Sequence, residues 1–209
     1  MNAHEQEHMW STRYRDAGAD YVFGTTPNRF LAAQAALLAA GSNALSVADG
    51  EGRNAVWLAE QGLQVTATEI SPVALEKARK LAAGRHVEVD FVLADAVAWD
   101  YPAAAFDFVV GIFIQFADPA QRARIFAGMT RALRPGGHLI VQGYTPKQLD
   151  YRTGGPSAVE NLYTAGLLRT AFPGLEILHL QEYEDVLDEG VGHRGQSALV
   201  GLVARKPVA

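Results

Sequence analysis

One short turn limits the possible folds of this chain more than any other stretch. The apolar run Ala44-Leu45-Ser46-Val47-Ala48 passes through Asp49-Gly50-Glu51-Gly52-Arg53-Asn54 into Ala55-Val56-Trp57-Leu58-Ala59-Glu60-Gln61. The pattern predicts a buried strand, a tight turn and a helix. Gly50 and Gly52 reach backbone angles closed to other residues and, lacking Cβ atoms, let a ligand approach the main chain. The helix start adds N–H groups that have no intrahelical partner. Such a strand–turn–helix is a site for a nucleotide-type cofactor.

Two cofactor classes use this arrangement. Gly50-x-Gly52-x-x-Ala55 satisfies the loose dinucleotide fingerprint, which keeps a nicotinamide-dependent oxidoreductase open. Asp49 and Glu51, however, flank the first glycine and would repel pyrophosphate oxygens at a helix start that otherwise favours anions. A cationic cofactor tolerates both acids. S-adenosylmethionine combines an adenosine without phosphate with a sulfonium and an amino acid end, and the acidic turn tilts the choice towards it.

The 209 residues, 49% of them hydrophobic and 20% charged, suffice for one sizeable core. We expect one domain over residues 1–209, with a helical cover at 1–40 and a Rossmann-like core at 41–209. A net charge of −5 disfavours a nucleic-acid or anionic-membrane surface and favours a small-molecule partner. The chain has no cysteine, which excludes disulfides, thiolate ligands and a Cys nucleophile. The polar opening Met1-Asn2-Ala3-His4-Glu5-Gln6-Glu7-His8 lacks the basic and apolar regions of a signal peptide, so a cytoplasmic location is expected. No apolar run approaches the roughly 20 residues of a membrane span. The histidines show no metal-ligand spacing, so no metal is expected, and the expected state is a monomer or weak homodimer.

Further along, strand and helix alternate. Helices are predicted over residues 5–17 and, from an Asn28 cap, 28–40; the link Tyr21-Val22-Phe23-Gly24-Thr25-Thr26-Pro27 either covers a site or anchors to the core. Strands are predicted over 64–68, ending at Glu69, over 87–93, ending at Asp95, over 106–113 and over 138–142. Ser71-Pro72 and Asp118-Pro119 start the intervening helices, and Arg134-Pro135-Gly136-Gly137 ends the second of them. Residues 145–164 are irregular, a helix follows over 165–171, and strands over 175–183 and 197–204 can pair antiparallel across the loop 188–195. This is a doubly wound, mostly parallel α/β sheet, whose ligands bind beyond the carboxyl ends of the strands.

Together, Gly50-Glu51-Gly52-Arg53-Asn54, the strand-end acids Glu69 and Asp95, and Leu133-Arg134-Pro135-Gly136-Gly137 resemble the class I S-adenosylmethionine-dependent methyltransferases. Within that superfamily, the Glu-Gly-Arg-Asn-Ala turn, Trp10-x-x-Arg13-Tyr14 and Tyr21-x-Phe23-Gly24-x-x-Pro27-Asn28-x-Phe30-Leu31 are similar to small bacterial tellurite-resistance and thiopurine-type methyltransferases. The resemblance implies a seven-stranded Rossmann-like sheet whose last strand is antiparallel. It implies a cofactor site of Arg13, Tyr14, Asp49, Gly50, Glu51, Gly52, Asn54, Glu69, Ile70, Asp95 and Ala96. Glu69, at a strand end, suits both ribose hydroxyls. Asp95 and the Ala96 amide would meet the adenine edge, and Ile70 its face.

One departure concerns the first strand, where most of the family has an acid and this chain has Ser46. Asp49 or backbone carbonyls would then hold the cationic end, and a non-catalytic S-adenosylmethionine or S-adenosylhomocysteine binder becomes an alternative. Gln115, after the fourth strand, can orient an acceptor but cannot take its proton, which suits soft sulfur, selenium or tellurium nucleophiles. His193 is a candidate base and Arg152 a candidate anion fork.

Overall fold

The structure, a computed structural model, describes residues 2–208. Its seven strands form one sheet in the order β3-β2-β1-β4-β5-β7-β6, and the chain divides into two compact units. Met1–Trp99 with Glu189–Gly192 form the first unit, and Asp100–Asp188 with His193–Ala209 form the second.

The first unit opens with α1 (Ala3–Asp16). Asn2 accepts from the Glu5 amide while the Glu5 carboxylate accepts from the Asn2 amide, a reciprocal cap that satisfies two orphan donors. Asn28 does start α2 (Arg29–Ala32), its side chain accepting from the Leu31 amide. The helix expected over 28–40 nevertheless stops after one turn, and only a 3₁₀ turn at Ala35–Leu37 follows. A helix this short needs a packed apolar face, and Leu31 is the sole buried residue of α2.

β1 (Asn43–Ser46), α3 (Arg53–Glu60), β2 (Gln64–Glu69), α4 (Pro72–Gly84) and β3 (Asp90–Leu93) follow, with β1–β2 and β2–β3 parallel. β3 begins later than the expected 87. The Val87 amide is taken by the Ala82 carbonyl at the end of α4, so the chain is still closing the helix there. Val56, Leu81 and Ala82 form a buried cluster with Tyr21, Val87 and Phe91 against it.

The second unit holds β4 (Phe106–Ile112), α5 (Pro119–Ala132), β5 (Leu133–Tyr144), α6 (Gln148–Tyr151), a 3₁₀ turn at Val159–Asn161, α7 (Ala165–Ala171), β6 (Glu176–Asp188) and β7 (Arg194–Arg205). β4 and β5 are parallel, and β7 is antiparallel to both β5 and β6, as expected of the last strand. β5 starts earlier than the pattern predicts. Its register against β4 jumps from Phe106–Leu133 to Phe108–His138, so Arg134–Gly137 form an irregularity inside the strand rather than a separate loop. The Gly136 amide and Gly137 carbonyl both bond to Lys206, at 2.7 and 2.8 Å, and this replaces the lost ladder contacts. β6 and β7 continue to the Asp188–Arg194 pair, which shortens the expected 188–195 loop to residues 189–193.

Candidate functional site

Every residue expected at the cofactor lies in the first unit. Its centre is the Glu69 carboxylate at the end of β2, which is buried. One oxygen accepts from the Gly50 amide and the other from the Ser71 amide, both at 2.9 Å, so one side chain ties the glycine turn to the start of α4. Burial raises the Glu69 carboxyl above its ordinary value, while the amides of Ser71, Gly50 and Ile70 pull it back.

Asp49 stands on the other side of Gly50. Ser46 Oγ, at the end of β1, donates to Asp49 Oδ1 at 2.5 Å, while Asp49 Oδ2 is a buried atom with no hydrogen-bond partner. Desolvation pushes this carboxyl up to about 7, against the pull of hydrogen bonds from Ser46 and the Ala55 amide. Tyr14 closes the turn from α1; a Cβ on Gly50 would come within 2.9 Å of its hydroxyl. Burial and then the Glu69 and Glu51 charges keep that phenol protonated, its pKa well above the usual value.

The second glycine has a different occupation. Gly52 sits at φ +93°, and a Cβ there would meet Ala78 Cβ at 2.8 Å, so its first requirement is the close approach of α3 to α4.

Glu51 and Asn54 bind the N-terminal segment. Glu51 accepts from the Val22 amide at 2.7 Å and forms a 2.6 Å ion pair with the buried ammonium of Lys77. That ammonium also donates to the carbonyls of Asp20 (2.6 Å) and Tyr14 (3.2 Å). Asn54 Oδ1 accepts from the Asn28 amide, and the Asn28 side chain donates to Glu189. Glu189 further accepts from the Arg29 amide and pairs with Arg53 at 2.8 Å. Arg13 lies over the rings of Trp10 and Phe23, 5.4 and 5.0 Å from their centroids. Tyr21 donates to the Lys77 carbonyl, and Phe23 packs on the Tyr14 ring, so the 21–27 link is firmly anchored within the first unit.

Sequence reasoning missed Lys77 and the acceptor role of Glu189. The signal for Lys77 was its phase: with Ala74, Ala78 and Leu81 it falls on the buried face of α4, where a charge demands a partner.

Of the residues expected at the adenine, Asp95 is half-buried and its Oδ1 accepts from the Val97 amide at 2.9 Å, a turn cap. Ala96 is buried and Ile70 half-buried.

The three residues expected at the chemistry lie in the second unit. Gln115 is buried, and its amide is already engaged: Nε2 donates to the carbonyls of Tyr144 and Asn161, and Oε1 accepts from the Tyr144 amide at 2.6 Å. It clamps the end of β5. His193 is buried edge-on to Phe113, with centroids 4.2 Å apart, and 5.7 Å from Tyr144. Phe113 holds φ +56°, a strained angle for an aromatic residue. Arg152 is exposed at the left-handed end of α6. Arg194 forms a loose 3.6 Å surface pair with Asp188.

The fold is similar to that of solved S-adenosylmethionine-dependent methyltransferases, one of which, from Methanosarcina mazei, superposes with a TM-score of 0.68 at 20% identity, covering 82% of this chain and 95% of that one. Residues 44–137 match the methyltransferase-domain family. The demethylmenaquinone methyltransferase of Thermus thermophilus is 36% identical over 104 residues, covering 49% of this chain and 47% of that one. The chain spans about half the length of the curated relatives it matches. Among solved structures, TehB from Haemophilus influenzae superposes with a TM-score of 0.71 at 18% identity, covering 96% of this chain and 67% of that one. The [4+2]-cyclase SpnF superposes at 0.75 and 20% identity, covering 100% and 98%. Among the described residues no helix is long and apolar enough to cross a membrane.

Proposed function

We propose that this protein transfers a methyl group from S-adenosylmethionine to a small, soft nucleophile centred on sulfur, selenium or tellurium. The observation that carries the cofactor half is the Glu69 carboxylate under the Gly50 turn, with the partnerless oxygen of Asp49 beside it. Glu69 would take the ribose hydroxyls, Asp95 and Ala96 the adenine edge, and Ile70 its face. Asp49, Gly50 and Tyr14 would border the amino acid end. Glu51, Gly52, Asn54 and Arg13 serve by holding the turn and its cover in place.

When bound, the cofactor supplies an electrophilic methyl carbon open to in-line displacement. The protein's own task is then to position and to exclude water. With the Gln115 amide engaged by backbone, no side chain after β4 is assigned as a base there, and an acceptor that is nucleophilic without proton removal suits that arrangement. His193 is the remaining base candidate in the second unit.

Likeness to a [4+2]-cyclase makes the activity a matter for direct assay, since one fold hosts many chemistries. Calorimetric titration with S-adenosylmethionine and with NAD tests the cofactor. S-adenosylhomocysteine release across a panel of thiols, selenide and tellurite tests turnover. Binding of the methyl donor without turnover on any acceptor would favour a sensing role, and binding of NAD alone would favour the oxidoreductase.

Glu69→Ala is expected to weaken cofactor binding by about 1.5–3 kcal/mol, the range for hydrogen bonds to a charged group. Because Glu69 also holds Gly50 and Ser71, Glu69→Gln is the companion that keeps an acceptor oxygen; unchanged affinity in both would displace the cofactor from this turn. His193→Ala and Arg152→Ala are expected to leave S-adenosylhomocysteine affinity near wild type, and at least one to lower turnover roughly tenfold, about 1.4 kcal/mol. Wild-type rates in both would remove these residues from the mechanism.

A further inference from the structure

We infer that Ser46 and Asp49 form a relocated anchor, in which Ser46 orients Asp49 so that its second carboxylate oxygen receives the α-ammonium of the cofactor. The inference rests on the methyl-donor reading and adds to it the identity and proton dependence of one contact.

Three observations lead to it. β1 ends on Ser46, which carries no charge of its own. Its hydroxyl instead spends its proton on Asp49 Oδ1 at 2.5 Å, which fixes the carboxylate's plane. The opposite oxygen, Oδ2, is a buried atom without a hydrogen-bond partner, and a buried acceptor of this kind calls for a donor. A sulfonium has no N–H or O–H to give. An ammonium has three, and with the ribose hydroxyls assigned to Glu69 and the adenine amino group to Asp95 it is the donor left for this oxygen.

The surroundings agree in sign. Facing Asp49 are Glu69 from β2 and the Tyr14 hydroxyl from α1, while the Ala55 amide and the Arg53 guanidinium of α3 pull its pKa down. Lys77, from α4, is committed to Glu51, and Arg53 is committed to Glu189. A cation arriving with the ligand would therefore meet an excess of acceptors.

Proton dependence follows. Burial holds the ligand-free Asp49 carboxyl at about 7. Only the ionised form attracts an ammonium, so affinity is retained above that value and lost as pH falls through it. From pH 7.5 to 5.5 the ionised fraction of such a group drops roughly twenty-five-fold, and the apparent dissociation constant rises by the same factor. The ligand's amino group, ordinarily titrating near 8, stays mostly charged over that range.

S-adenosylhomocysteine is the probe, because it keeps the ammonium and lacks the sulfonium. Calorimetry of the full chain at pH 5.5, 6.5 and 7.5 is expected to show roughly twentyfold weakening towards acid. Asp49→Asn is expected to lose roughly tenfold or more at pH 7.5, equally for S-adenosylhomocysteine and S-adenosylmethionine, and to flatten the profile. Ser46→Ala, lacking the hydrogen bond that lowers the Asp49 pKa, is expected to shift the midpoint upward rather than flatten it. A flat wild-type profile, or wild-type affinity in Asp49→Asn, overturns the anchor while leaving the methyl-donor reading intact. Loss of S-adenosylmethionine affinity alone would move Asp49 to the sulfonium and overturns it too. Absence of any binding by the wild-type chain overturns both.

Discussion

Lys77→Met is expected to destabilise the protein by about 3–5 kcal/mol, the cost of leaving a buried charge without its partner. The Lys77 ammonium is the meeting point of Glu51, the Asp20 carbonyl and the Tyr14 carbonyl. Methionine fills a similar volume but donates nothing, so the Glu51 carboxylate would keep only the Val22 and Phe23 amides. At this chain length each kcal/mol moves the melting temperature by about 2–4 °C, so a fall on the order of 10 °C should be visible in a thermal melt. Glu51→Gln combined with Lys77→Met removes the unpaired charge and is expected to recover much of the loss, a coupling that a double-mutant cycle reads directly. A single variant as stable as wild type would show that the ammonium is not committed to these three acceptors. Cofactor affinity should fall with it, because the Tyr14 end of α1 is held over Gly50 by the same ammonium.

The second large effect is expected at Gly190. Its φ is +75°, and a Cβ there would approach the Gly24 nitrogen at 2.5 Å and the Phe23 carbonyl carbon and Val22 oxygen at 2.6 Å. All three are backbone atoms, so no side chain can swing aside. Nor is the segment free to back away: Glu189 is held by Asn28, the Arg29 amide and Arg53, and the Gly192 amide donates to the Val22 carbonyl at 2.9 Å. Gly190→Ala therefore combines about 1–2 kcal/mol for a left-handed alanine with about 1–3 kcal/mol for overpacking. The matched control is Val191→Ala, at a side chain 79% exposed, which should be near neutral. Hydrogen exchange at the Gly192 amide should accelerate in Gly190→Ala and not in the control. Equal protection in the two would mean that the loop does not rest on residues 22–24.

The contrast between what was legible and what was not lies in how far apart the interacting residues are along the chain. Ser71-Pro72 and Asp118-Pro119 start their helices where the pattern put them, because an N-cap is satisfied within three residues. The strand-end acids Glu69 and Asp95 were readable because a parallel α/β sheet exposes every strand's carboxyl end on one edge. The helix expected over 28–40 failed for the opposite reason: alanine-rich sequence supplies propensity, but without a buried face one turn is all that persists.

The sequence by itself determined the alternation of strand and helix, the antiparallel closing hairpin and the glycine turn with its acids. All of these follow from local spacing and from the periodicity of apolar residues. Only the tertiary structure decided what the polar side chains do once buried. Gln115 clamps the Tyr144 backbone, Gly52 admits Ala78, and Glu51 and Glu189, paired with Lys77 and Arg53, fasten the Val22–Arg29 segment. The physical reason is that a buried hydrogen bond or charge must find its partner in space. Glu189 meets Asn28 across 161 residues of chain, a pairing that no local spacing records.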